Sequence, residues 1–394
     1  MEKYIDIYRQ YLLENVVPFW LRNSPDTVHG GFFTCLLRDG QVFDTDKFVW
    51  LQAREIWTFA MLYNEVSQKN EWLEMAVQGG EFLIEHGRNP LGHWYFSLRR
   101  DGKPLTEAYS IFSDCFAAMA FAQLHRATDI AAYADIATST FNHILQRKDN
   151  PKGQFSKGVA GTRDLKGFAL PMILCNLVLE IEHLLPREVV EAVLEEGVGE
   201  VMDIFYQKDL KLILENVSPE GAFIDCFEGR LVNPGHGLEA MWFVMDIARR
   251  WEDKALIDKC VEISLDILEY GWDAEHGGIF YFRDIKNFPP QQLEWDQKLW
   301  WVHLEALVAV FKGYELSGEP RCLEWVERLH LYIWDHFVDE EYGEMFGYLQ
   351  RNGDPLIYAK GGKWKGFFHV PRALFQLWKT AERIQMNKEY IYKK

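Results

Sequence analysis

GGFFTCLLRDG (30–40), GHWYFSLRRDG (92–102), GQFSKGVAG (153–161), GAFIDCFEGRLVN (221–233), GGIFYFRD (277–284) and GEMFGYLQRNG (343–353) are versions of one pattern: a glycine followed within three residues by an aromatic. The glycines at Gly31, Gly92, Gly153, Gly221, Gly278 and Gly343 fall about 60 residues apart, and a fixed period of that kind marks a repeat architecture. Short aromatic or β-branched runs bounded by Gly, Asp and Asn are hairpin signals. Each repeat is expected to hold one hairpin.

Outward from each hairpin the pattern turns helical. Before it runs an amphipathic segment, roughly 2–22, 69–87, 130–147, 186–208, 253–270 and 319–337, with charge on one side (Glu71, Glu74 and Glu81; Glu324, Glu327 and Arg328) and an apolar stripe on the other. After it comes a richer apolar segment, beginning near Lys47, Ser110, Leu165, Pro234, Glu294 and Lys363. A helix apolar nearly all round is buried. Twelve helices alternating outer and inner predict an all-α (α/α)6 toroid, one domain spanning 1–394, with short β-hairpins in the long loops of one face. Inner-to-outer links are short, as in SGEP before Arg321, whereas outer-to-inner links run to about 25 residues, and long loops on a rigid scaffold usually carry binding residues. The hairpin face is the expected functional face.

Composition narrows the partners. A formal net charge of −17 opposes binding to nucleic acid or an anionic membrane surface, both of which need a positive patch. No apolar run reaches membrane-span length, and MEKYIDIYRQYLLEN reads as an acidic amphipathic helix, so a cytoplasmic protein is expected. The six cysteines stand singly, without CxxC or metal-ligand spacing, and fit reduced thiols acting as small hydrophobes; Cys115 and Cys226 lie near the functional face. Fifteen Trp suit a site that stacks on a ring-shaped ligand, although core packing accounts for most of them.

Polar groups on otherwise apolar inner helices are where function concentrates. In NPGHGLEAMW, His236 lies in a first helical turn with Glu239 one turn on, and the positive end of the helix favours a neutral imidazole. In KGFFHVPRALF, His369 and Arg372 repeat that spacing, and Pro371 fixes the helix start near His369. Arg54, flanked by Trp50 and Trp57, needs an anionic ligand or a carboxylate such as Glu305 or Glu239. Glu305, four residues after Trp301, is either catalytic or an internal partner of Arg54 or Arg372. His303 falls on another face and reads as structural. Asp114 is a helix-start charge or a ligand contact. HExxH, GxxxxGK[ST], GxGxxG after a strand and GxSxG are absent, and GVAGTRDLKG (158–167) reads as a plain loop. Two proton carriers of similar pKa on opposite sides of one carbon, with arginines for the enolate oxygen, suit epimerisation next to a carbonyl.

With HGGFFTCLLRDG, KFVWLQARE, NPGHGLEAMWF, LWWVHLEAL and KGFFHVPRALF, the chain resembles the N-acylglucosamine 2-epimerases along essentially its whole length, more closely than the related cellobiose epimerases and mannose isomerases. The resemblance implies interconversion of N-acetylglucosamine and N-acetylmannosamine at C2 of the ring-opened sugar. It places His236 and His369 as the acid and base, and Arg54, Glu239, Glu305 and Arg372 as essential residues of the pocket. Trp50, Trp301 and Asp114 are the further sugar contacts expected. It also implies a homodimer and activation by ATP that is not consumed; no cofactor or metal is required for the chemistry. Some members carry a cysteine just before FHVPR, where this chain has Phe367. The alternatives are an epimerase or aldose-ketose isomerase for a non-acetylated sugar, a glycosidase using a carboxylate pair among Glu239, Glu305 and Asp114, and a non-catalytic interaction protein.

Overall fold

Each apolar run becomes a buried helix, and each amphipathic run becomes a helix laid outside it. The computed structural model describes residues 1–159 and 161–392. The first outer rod is α1 (Glu2–Gln10), continued through a π-helical turn, Tyr11–Val16, into α2 (Val17–Asn23). Pro18 lies in the first turn of α2 and has no N–H to give the preceding turn, a common reason for such a local change in helix type. The other outer helices are α4 (Asn70–His86), α6 (Ala131–Arg147), α8 (Arg187–Gly199, with a π-helical end Glu200–Phe205), α10 (Lys254–Gly271) and α12 (Pro320–His336). The inner ones are α3 (Val49–Glu65), α5 (Ile111–Thr128), α7 (Ala169–Ile181), α9 (Pro234–Arg250), α11 (Trp300–Ser317) and α13 (His369–Tyr392).

Inner helices pack in sequence from α3 to α13, and each outer helix packs on the inner helix next to it in the chain, with α1 against α13. The ring closes where Thr58 on α3 donates to the Phe367 carbonyl (2.7 Å) and Phe59 packs on Phe367 at 5.0 Å. This is the (α/α)6 toroid.

The expected hairpins form within the second and sixth repeats, where Ser97–Leu98 pairs with Pro104–Thr106 and Tyr348–Leu349 with Pro355–Ile357, and the sheets extend beyond a single repeat. The strand leading into an inner helix pairs with the next repeat: Lys47–Phe48 lies antiparallel to Ser97–Leu98, Leu231–Val232 to Arg283–Asp284, and Lys298–Leu299 to Tyr348–Leu349. Within a repeat the glycine turn is closed by single bridges such as Pro25 to Phe32 and Trp272 to Ile279. The third segment departs furthest, since Gly153–Phe155 is an exposed 3-10 turn without strand pairing.

All six glycines have positive φ, and at Gly278 (φ +73°) a Cβ would also lie 2.5 Å from the Tyr332 ring. Hydrogen bonding shifts one alignment by a residue. Gly30, Gly277 and Gly343 donate equivalently to the carbonyls of Asp26, Asp273 and Asp339, so the left-handed position held by Gly31 and Gly278 falls on Glu344 (φ +58°) in the sixth repeat. Glu344 is held there by Lys365 (2.9 Å) and the Trp20 indole (2.7 Å).

The same three corners carry a repeated ionic staple. Asp26 takes Lys47 (3.0 Å) and Arg100 (2.9 Å), Asp273 takes Lys298 (3.1 Å) and Arg351 (2.8 Å), and Asp339 takes Lys360 (2.7 Å) and Arg38 (2.7 Å). Each arginine comes from the next repeat, and Arg38 joins the first to the sixth. Burial alone would raise these carboxyls, but the donors facing them hold all three well below the usual carboxylate range. Burial works against the lysines, taking Lys298 and Lys360 down to about 8 despite their aspartates.

Candidate active site

The site gathers where α9, α11 and α13 begin. At α9, Asn233 caps the helix by accepting the His236 N–H (3.2 Å). The half-buried His236 ring then meets Glu215, whose two oxygens both lie 3.0 Å from Nδ1. Burial lowers the basicity of this imidazole, but the Glu215 charge and hydrogen bond, with Glu239, outweigh it and leave the pKa raised. The downward shift expected for His236 from the helix terminus is therefore corrected to an upward one: a carboxylate at contact distance outweighs partial charges of the helix end.

His369 opens α13, as Pro371 indicated, and is treated oppositely. Its Nδ1 lies 2.8 Å from Glu305 Oε1, which also accepts from Arg372 (2.7 Å), while Oε2 accepts from the Trp242 indole (2.8 Å). Arg372 further pairs with Glu239. The Glu305 charge is thus already matched by Arg372. Burial, with Arg54 and Arg372 nearby, pushes His369 well below the ordinary histidine range. The two histidines do not have similar pKa values; the site separates them. Each has its Nδ1 on a carboxylate, which assigns the proton there and leaves Nε2 without a hydrogen-bond partner among the described residues.

Trp301 stands beside both, its ring 5.2 Å from His236 and 5.7 Å from His369. Arg54 completes the group without a carboxylate of its own. Its guanidinium lies over Phe116 (3.9 Å), Trp50 (4.5 Å) and Phe368 (4.6 Å), and its buried Nε has no partner among the described residues. Burial and the neighbouring Arg372 lower its pKa to about 9. Of the partners considered for Arg54 and Glu305, the structure selects Arg372 with Glu305. Among the described residues Arg54 has no carboxylate in ion-pair contact. Trp50 lies against Trp364 (5.9 Å) and Phe116 (6.4 Å), forming an aromatic wall.

Asp114 is not brought to this group. It is buried and bonded to Arg147 of α6 (3.0 Å), and burial raises its carboxyl to about 6. It braces an inner helix to an outer one. His303 is structural as read, accepting the Ile279 N–H at 2.8 Å. Burial pushes the Cys115 thiol up, away from a reactive thiolate, and Phe367 stacks on Trp20 at 5.7 Å. Glu215 was missed, because an isolated glutamate in LILENVSPEG carries no periodic signal and reaches His236 only through the fold. Donor atoms of Glu239, Glu305 and His369 lie within 4.8 Å of one another, but the Arg372 guanidinium already supplies the positive charge beside them.

The family model for N-acylglucosamine 2-epimerase (GlcNAc 2-epimerase) matches residues 31–373. This chain belongs to the N-acylglucosamine 2-epimerase family. The matched span contains the residues gathered at the site, from Trp50 to Arg372. The N-acylglucosamine 2-epimerases of Rattus norvegicus and Homo sapiens are each 40% identical over 373 residues, covering 92% of this chain and 88% and 86% of theirs. Among solved structures, a cellobiose 2-epimerase from Bacillus thermoamylovorans superposes with a TM-score of 0.84 at 19% identity, covering 96% of this chain and all of that one (100%), which supports the toroidal fold.

Proposed function

We propose that this chain is a sugar 2-epimerase that interconverts N-acetylglucosamine and N-acetylmannosamine by two-base proton transfer at C2 of the open-chain sugar. The observation that carries the mechanism is the pair of histidines beside Trp301, each with Nδ1 on a carboxylate and Nε2 free. One Nε2 takes the C2 proton; the C2–H electron pair moves into the C1–C2 bond and the carbonyl π pair onto O1. Arg54, lacking a carboxylate partner, is suited to the charge on O1. The other histidine then gives its proton to the opposite face of C2, the carbonyl re-forms, and the configuration is inverted. Solvent exchange restores the starting protonation. With an acetamido group at C2 there is no hydroxyl to become a ketone, so the intermediate can only return to one of the two epimers.

A glycosidase needs one protonated carboxyl as general acid. Glu239 and Glu305 are both engaged by the Arg372 guanidinium, which leaves neither carboxyl free to face a leaving-group oxygen and disfavours that reading. The 40% identity to named N-acylglucosamine 2-epimerases favours the acetylated sugar over mannose or cellobiose. ATP activation without consumption, homodimeric assembly and a cytoplasmic location stay within the proposal. Among the described residues no helix is long and apolar enough to cross a membrane.

Incubation with N-acetylmannosamine in D2O, with and without ATP, tests the reaction. Deuterium at C2 and formation of N-acetylglucosamine are expected, and no exchange in either condition would overturn the reading. Sedimentation of the purified chain tests the dimer.

A further inference from the structure

The two histidines rest on unlike carboxylates. Glu305 divides its charge among Arg372, His369 and the Trp242 indole. Glu215 faces only His236 among the described charged side chains, with both oxygens at 3.0 Å and the side chain 12% exposed. Its backbone is locked in two directions, the N–H donating to Leu231 (3.0 Å) and the carbonyl accepting from Phe168 (3.0 Å). The carboxylate is thus aimed from a bend between two short strands, Leu212–Ile213 and Asn216–Val217, whose backbone is tied to the strand entering α9 and to the start of α7.

We infer that Glu215 is the positioning residue that makes His236 the resting proton donor, so that the free enzyme starts from the epimer whose C2–H faces His369. This rests on the proposed epimerase function. The groups surrounding His236 are consistent with it. Glu239 on its own helix adds negative charge, His369 on α13 is held neutral, and Trp301 of α11 is uncharged. Tyr281, near Glu215 and Trp301, has its phenol pushed up by burial and stays protonated. The directions agree with the geometry, His236 raised and His369 lowered.

A raised pKa means that the donor form is lost only as pH climbs through the raised value, so Glu215 extends turnover to the alkaline side. Replacing Glu215 by Gln keeps the shape and removes the charge. In Glu215→Gln the alkaline limb of kcat/KM, measured for each epimer as starting sugar, is expected to move to lower pH. On that limb kcat should fall by about tenfold or more, with KM little changed. The Cε1–H signal of His236, assigned by its loss in His236→Ala, should titrate above ordinary histidine in the native enzyme and lower in Glu215→Gln. Glu215→Asp should restore much of the limb.

A loss uniform across pH, or a native His236 titrating at or below the ordinary histidine value, would overturn the role of Glu215. The imidazole titration needs no turnover, so an enzyme inactive on both sugars would refute the epimerase reading while Glu215 was still decided. A native His236 with an ordinary titration in an active enzyme would do the reverse.

Discussion

His369 and Arg54 both owe their chemistry to partners withheld. His369 shares Glu305 with Arg372 and so stays neutral, ready to accept a proton; Arg54 has rings around it where a carboxylate would stabilise it. An unmatched buried cation costs stability, and such costs concentrate at functional sites. Arg54→Met should therefore raise the melting temperature while lowering kcat on the order of 100- to 1000-fold, the scale of a lost oxyanion donor. A variant that melts lower with activity retained would show Arg54 to be structural. His236→Ala and His369→Ala should each abolish epimerisation, and His236→Ala should still exchange C2–H for deuterium from one epimer only. Full epimerisation in both, followed by NMR in D2O, would end the two-base mechanism. His236, Glu239, Glu305, His369 and Arg372 were legible in the sequence because each interrupts an apolar helix at one-turn spacing. Asp114 misled because a first-turn acid looks alike whether it faces the site or, as here, α6.

At the scale of elements, helix positions were readable from periodicity, and α9 and α13 start where Pro234 and Pro371 place them. Strand pairing was not, because Lys47 meets Leu98 and Lys298 meets Leu349 across whole repeats. The staples escaped for the same reason: an aspartate before a glycine turn says nothing of an arginine one repeat later. Their consequence is measurable. Asp26, Asp273 and Asp339 have lowered folded pKa values, so their stabilisation is complete above the unfolded carboxylate pKa of about 4 and fades as pH falls below it. Asp273→Asn leaves the buried Lys298 without its counter-ion and should cost about 3–5 kcal/mol in urea unfolding near neutral pH. Asp258→Asn, which breaks an exposed pair with Lys254, should cost about 0.5 kcal/mol or less. Equal costs would mean that the corners do not act as staples.

For the whole molecule, the ring is closed by its ends. The rod α1–α2 packs on α13, and Trp20 binds the carboxylate of Glu344, which also receives Lys365 just before the loop that delivers His369. The first residues of the chain thus support the segment leading to His369, the proposed proton acceptor, near its other end, a link invisible to any local reading. Tyr8, Leu12, Val16, Val17, Phe19 and Trp20 are all buried, and at about 1.5–3 kcal/mol for each large apolar side chain their loss is on the order of 10 kcal/mol. That matches the typical net stability of a domain, about 5–15 kcal/mol, so a chain beginning at Ser24 should not fold alone. It is expected in the insoluble fraction, or as a species without a cooperative melt, and co-expression of residues 1–23 should recover folded, active protein if the rod serves only to close the ring. A Ser24-initiated chain with the native melting temperature and native turnover would show instead that the remaining eleven helices close the toroid without it.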